Sequence, residues 1–101
     1  MTPSDSEIEA QRKEALQRLS GALHLGVPVE EAFAPGTLGC HEALHTASLV
    51  LDMLERHLFE HPAIASNPEW YKQAAMAHHH LFTLYQAIGG THLDGAQARD
   101  D

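Results

Sequence analysis

Two histidines four positions apart, with a glutamate beside the first, are the residues of this chain best spaced for chemistry: His41-Glu42-Ala43-Leu44-His45. On a helix, positions i and i+4 share a face, so both imidazoles can reach one metal ion. Glu42 then stands beside them as a candidate base for a metal-bound water. Cys40 directly precedes the run, and a cysteine at a helix N-terminus has its thiolate favoured. Asp52 and Arg56 continue the stripe of His41 and His45 two turns on. Helical bundles assemble metal sites from facing helices, which brings in His78 from a later helix. The candidate metal set is therefore His41, His45, Cys40 and His78, and zinc, nickel or iron suits such donors. A symmetric dimer offers a second route, by setting two His41/His45 pairs at its axis.

The run fits the H-E-x-x-H pattern of zinc metalloproteases, and that resemblance implies a helix-borne zinc with Glu42 as catalytic base. The rest of the pattern is missing. A catalytic zinc wants a third protein ligand and an open fourth position. The extended form of the motif would need Gly and His where Ser48 and Leu51 stand. Glu60 and Glu69 are third ligands by count alone. Zincin folds set a sheet edge beside the helix, and no segment here alternates with the two-residue period of a strand. The likeness to carboxylate-bridged di-iron bundles is looser still: those need two Glu-x-x-His helices plus further glutamates, and here the order is His41-Glu42. With nine histidines in the chain, a chance match is easy. Hydrolysis with Glu42 as base ranks third among the readings, and the chain is expected not to be an enzyme.

The other histidines read as boundary residues. His78-His79-His80 cannot chelate as a run, because successive helical side chains point about 100° apart. His78 leans toward Tyr71, Phe82 and Tyr85, and His79 faces water. His24, His57 and His61 fall near expected helix C-termini, where positive charge suits the dipole. Cys40 lacks an oriented base and reads as a buried or boundary thiol. Trp70, Tyr85 and the methionines fit helical core spacing without any cofactor.

Three helices must position these groups. The first starts at a cap on Asp5 or Ser6, repeats Ile8, Ala15, Leu16, Leu19, Ala22 and Leu23 on one face, and ends at Gly26. Pro28 to Phe33 makes one helical turn in the connector, and Thr37 caps the next helix. That central helix runs from about Leu38 to Glu60. Ala43, Ala47, Val50, Leu51, Leu54 and Leu58 form its apolar arc, with Leu49, Met53 and Phe59 outside it. Apolar residues so far round a helix imply contacts on two sides. Asn67 caps the third helix and Pro68 opens it. Its core positions are Trp70, Ala74, Ala77, Leu81, Leu84, Tyr85 and Ile88, with a stop at Gly89-Gly90.

The expected fold is thus all-α: three main antiparallel helices in an up-down-up bundle, with a short helical turn in the first connector, completed by dimerisation. The 101 residues make one domain, with a core over about 6–93 and disorder expected at 1–5 and 94–101. A formal charge of −8, with nothing basic clustered, removes the electrostatic basis for nucleic-acid or anionic-lipid binding. One cysteine, a polar N-terminus and no long apolar run point to a cytoplasmic protein without a membrane span. The leading expectation is a non-catalytic helical interaction module, a homodimer or the partner of another protein, acting through a helix face. The alternative is a metal-binding helical protein built on His41 and His45.

Overall fold

A computed structural model describes residues 2–99, with side chains from 2 to 95. The described residues are all-α with no strand, and none of their helices is long and apolar enough to cross a membrane. The chain divides into two compact units, Met1–Phe33 and Ala34–Asp101.

The first unit holds α1 (Asp5–Leu23) and α2 (Val29–Ala32). Ser4 rather than Asp5 or Ser6 caps α1, its hydroxyl accepting the Glu7 N–H at 3.2 Å. Asp5 and Glu7 therefore both sit in the first turn, at the positive end of the dipole. The helix stops at Leu23, three residues before Gly26, because His24 turns left-handed at φ 49° and Gly26 follows at 76°. One turn inside α1, Arg12 Nε donates to Glu9 Oε2 at 3.0 Å. That hydrogen bond holds the Glu9 carboxyl below the usual carboxylate range and raises Arg12 in turn. The expected connector turn is α2, opening after Pro28. Neither helix has a buried residue.

The second unit contains α3 (Leu38–Met53), a π-helical segment (Leu54–Leu58), α4 (Pro62–Ala65) and α5 (Pro68–Arg99). Thr37 caps α3 as expected, accepting the Cys40 N–H at 3.2 Å and donating its own hydroxyl to the Ala34 carbonyl at 2.7 Å. The central helix does not stay regular to Glu60. At its end the Phe59 N–H bonds the Leu54 carbonyl at 3.0 Å, the i to i+5 spacing of a π turn. One residue inserted into the helix rotates everything beyond it by about 100°. Phe59, outside the arc on a regular wheel, consequently packs against the rings of Tyr71 and His78 at 5.3 and 5.4 Å.

His61 caps α4 through Nδ1, which accepts the Ala63 N–H at 3.1 Å. Asn67 Oδ1 accepts the Glu69 and Trp70 N–H groups at 3.1 Å each, with Pro68 in the first position of α5. α5 does not stop at Gly89-Gly90; its backbone continues helical to Arg99, and Asp100 and Asp101 lie outside the described residues. A glycine near a helix end can equally be a place where another segment comes close, and Gly89 and Gly95 are of that kind. A Cβ on Gly89 would touch Leu44 Cδ1 at 3.5 Å, and one on Gly95 would sit 2.7 Å from the Pro35 carbonyl carbon.

α3 and its π extension run antiparallel to α5. His41 lies against His92, Leu44 against Gly89, Glu55 against His78 and Phe59 against Tyr71. Among the described residues the buried apolar ones are small in number: Ala47, Leu51 and Ala74. Leu54, Leu58, Leu81, Tyr85 and Ile88 are half-buried, whereas Ala43, Val50, Trp70, Ala77 and Leu84 are exposed, contrary to their expected core positions. The reason is geometric: a hairpin of two helices covers one narrow seam, while the apolar residues spread over a wider arc.

Candidate functional site

His41, Leu44, His45 and Ser48 line one side of a cleft of about 180 Å³, and Tyr85 closes it from α5. The helical spacing puts His41, Leu44, His45 and Ser48 on one strip of α3. The antiparallel register, with Leu44 against Gly89, then brings Tyr85 opposite Ser48, one turn below His45. Leu44 supplies an apolar floor. The remaining walls carry two imidazoles, one phenol and one hydroxyl, and no carboxylate or ammonium.

Behind His41 stands His92, whose ring is 5.5 Å away and tilted by 45°. His92 is 7% exposed, the one buried polar side chain among the described residues. Its Nδ1 accepts the Gly36 N–H at 3.0 Å, so the proton of the neutral ring is on Nε2. A metal-bound histidine has the opposite arrangement, donating through the nitrogen that does not hold the ion. His92 is therefore a pin for the Pro35–Gly36 corner, and not a ligand. Gly36 needs its missing side chain there, at φ 90°, and Gly95 needs it for the approach of Pro35.

The structure brings His41 and His45 together but does not add His78 to them. His78 Nε2 is 3.0 Å from Glu55 Oε1, and its ring stacks on Phe82 at 6.4 Å. Its level on the hairpin is that of Glu55, about 20 Å along the axis from His41 at 1.5 Å per residue. This is the hydrogen-bonded boundary position that its sequence neighbourhood implies. Cys40 is free and half-buried and is not a wall of the cleft. Glu42 is exposed and outside it as well. Asp52 and Arg56, further down the stripe, bond each other at 3.0 Å on the exposed surface. Among the described residues no three His, Cys, Asp or Glu side chains gather into a metal-binding group.

A second hollow, of about 330 Å³, opens on another face of the same helix between Val50, Met53, Leu54, His57 and Leu58. It is apolar apart from the edge of His57, and it straddles the start of the π segment. Val50 is 42% exposed and Met53 60%. The extra residue in the π turn directs Phe59 to α5 and leaves Leu58 on the hollow's side. The wide apolar arc was legible in the sequence; the hollow was not, because no residue type announces a π turn. His92 and Tyr85 were missed as neighbours of the histidine pair for a related reason. They lie far along the chain, and only the hairpin register joins them to it.

No protein-family model, curated protein or solved structure matches this chain.

Proposed function

We propose that this chain is a non-catalytic helical interaction module of the cytoplasm that pairs with a second copy of itself through the apolar face of α3 and the π segment. The observation that carries the reading is the open hollow of Val50, Met53, Leu54, His57 and Leu58, beside a core whose buried apolar residues, among those described, are Ala47, Leu51 and Ala74. Burying apolar surface returns about 25 cal/mol per Å², so a helix pair that leaves this strip in water forgoes much of its stabilisation. Association recovers it. The strip carries both a hollow and projecting side chains, Met53 and the 51% exposed Leu49, as a self-complementary two-fold contact requires. In this reading the up-down-up bundle is completed by the partner's helices. The lone free Cys40 is consistent with a reducing compartment.

Sedimentation equilibrium of the untagged chain tests the pairing. The expected result is a dimer at tens of micromolar, with Met53→Asp shifted to monomer, because the carboxylate would have to enter an apolar contact unpaired. A wild-type monomer at that concentration would overturn self-association and turn the face toward a different protein.

A further inference from the structure

The histidine cleft and the apolar hollow are separate surfaces of the second unit, and the cleft has a chemistry of its own. We infer that His41, His45 and Tyr85 bind one transition-metal dication per chain, copper(II) in preference to zinc or nickel, with Ser48 placed to hydrogen-bond a metal-bound water.

The donor set selects the ligand class. Calcium and magnesium take carboxylate and carbonyl oxygens, and no carboxylate lines this cleft. An anion would want Arg, Lys or a row of backbone N–H groups, and the walls are side chains of His, Leu, Ser and Tyr. What the cleft offers is two imidazoles and a phenol, donors suited to borderline dications. Among these, copper(II) stands highest in the stability order for nitrogen and oxygen sites. A formal charge of −8 favours accumulation of cations over anions near the chain.

The geometry agrees. Side chains at i and i+4 on a helix stand about 5–6 Å apart at Cβ, so two imidazoles can converge on an ion about 2.0–2.1 Å from each ring nitrogen. Both rings are exposed, so solvent and ions reach them without opening the fold. Tyr85 adds a donor from the opposite helix and makes the site depend on the hairpin. Coordination of its oxygen would release the phenolic proton to water. His92 stays outside the donor set, since its Nε2 carries the proton while Nδ1 is engaged by Gly36. Its ring backs His41 from the corner side. Cys40, His78 and Glu42 are not ligands here, which separates this three-donor site from any zinc hydrolase arrangement.

The test is titration of the untagged full chain with copper(II) sulfate and zinc sulfate, read by calorimetry and visible absorption. One copper per chain should bind more tightly than zinc and give phenolate-to-copper charge-transfer absorption. His41→Ala and His45→Ala should each lower copper affinity by more than the roughly tenfold to hundredfold that loss of an outer-shell partner costs. Tyr85→Phe should abolish the charge-transfer absorption and weaken binding at least about tenfold. His78→Ala and the His79→Ala/His80→Ala pair should bind as the parent does. Unchanged affinity in His41→Ala/His45→Ala, or an unchanged spectrum in Tyr85→Phe, would overturn the site, as would one copper per two chains. A readout on the parent protein avoids dependence on any variant's folding. Substoichiometric copper should broaden the ring resonances of His41, His45 and Tyr85 before any others, and broadening first at His79 and His80 would overturn it too. None of these outcomes turns on whether the apolar face pairs.

Discussion

Replacing Gly90 and Gly95 by alanine, one at a time, makes the same chemical change twice in α5, five residues apart. In a helix interior the change gains about 1 kcal/mol through backbone entropy and propensity. That gain is common to both sites, so the difference between the two variants isolates what the new methyl group meets. At Gly90 nothing lies within 4 Å of the added Cβ. At Gly95 it would meet the Pro35 carbonyl carbon at 2.7 Å and the Pro35 oxygen and Cβ at 2.8 Å each. Two of those atoms are backbone and the third is in a proline ring, so none can swing aside. Overpacking of this kind costs about 1–3 kcal/mol. Gly90→Ala should therefore be stabilised by about 1 kcal/mol, or roughly 4–8 °C in Tm for a domain of this size. Gly95→Ala should fall between neutral and about 2 kcal/mol less stable than the parent. Thermal and urea unfolding followed by circular dichroism measures both, at one fixed protein concentration because association also moves Tm. Equal stabilisation of the two variants would refute the close crossing of α5 over the Pro35–Gly36 corner.

At that same corner, His92→Leu should cost about 1–3 kcal/mol by leaving the Gly36 N–H without its acceptor; urea unfolding reads the loss, and an unchanged Gly36 amide exchange rate would contradict it. In α1, Glu9 should titrate by NMR below the usual carboxylate range and return to it in Arg12→Met, because the Arg12 hydrogen bond is the first cause of the shift. Since the folded value is the lowered one, this pair's contribution to the helix is present above the ordinary glutamate range and fades as pH falls through the lowered value. Both groups are fully exposed, so added salt should weaken the shift; a Glu9 titration indifferent to Arg12→Met would show that the pair is not formed.

Local chemistry was enough to read much of this protein from its residues. Helix caps at Thr37 and Asn67, the helix-opening Pro68, the short turn after Pro28 and the absence of strands among the described residues all follow from side chains acting on their own backbone neighbours. The pairing of His41 with His45 is equally local, because a helix alone sets that spacing. Tertiary structure decided what depends on distant partners. Gly89 and Gly90 carry a stop signal in isolation, yet the helix continues, since Gly89 faces Leu44 and the segment beyond packs at Pro35. His92 looks like one polar residue among nine histidines, and becomes a buried pin only because α5 runs back beside α3. The π turn at Leu54–Leu58 rotates Phe59 into contact with α5 and leaves Leu58 beside the apolar hollow, which a regular wheel assigns the other way round. The third donor of the proposed metal site, Tyr85, is likewise a product of register: forty residues from His45 in sequence, it shares a cleft with it because the two helices are antiparallel.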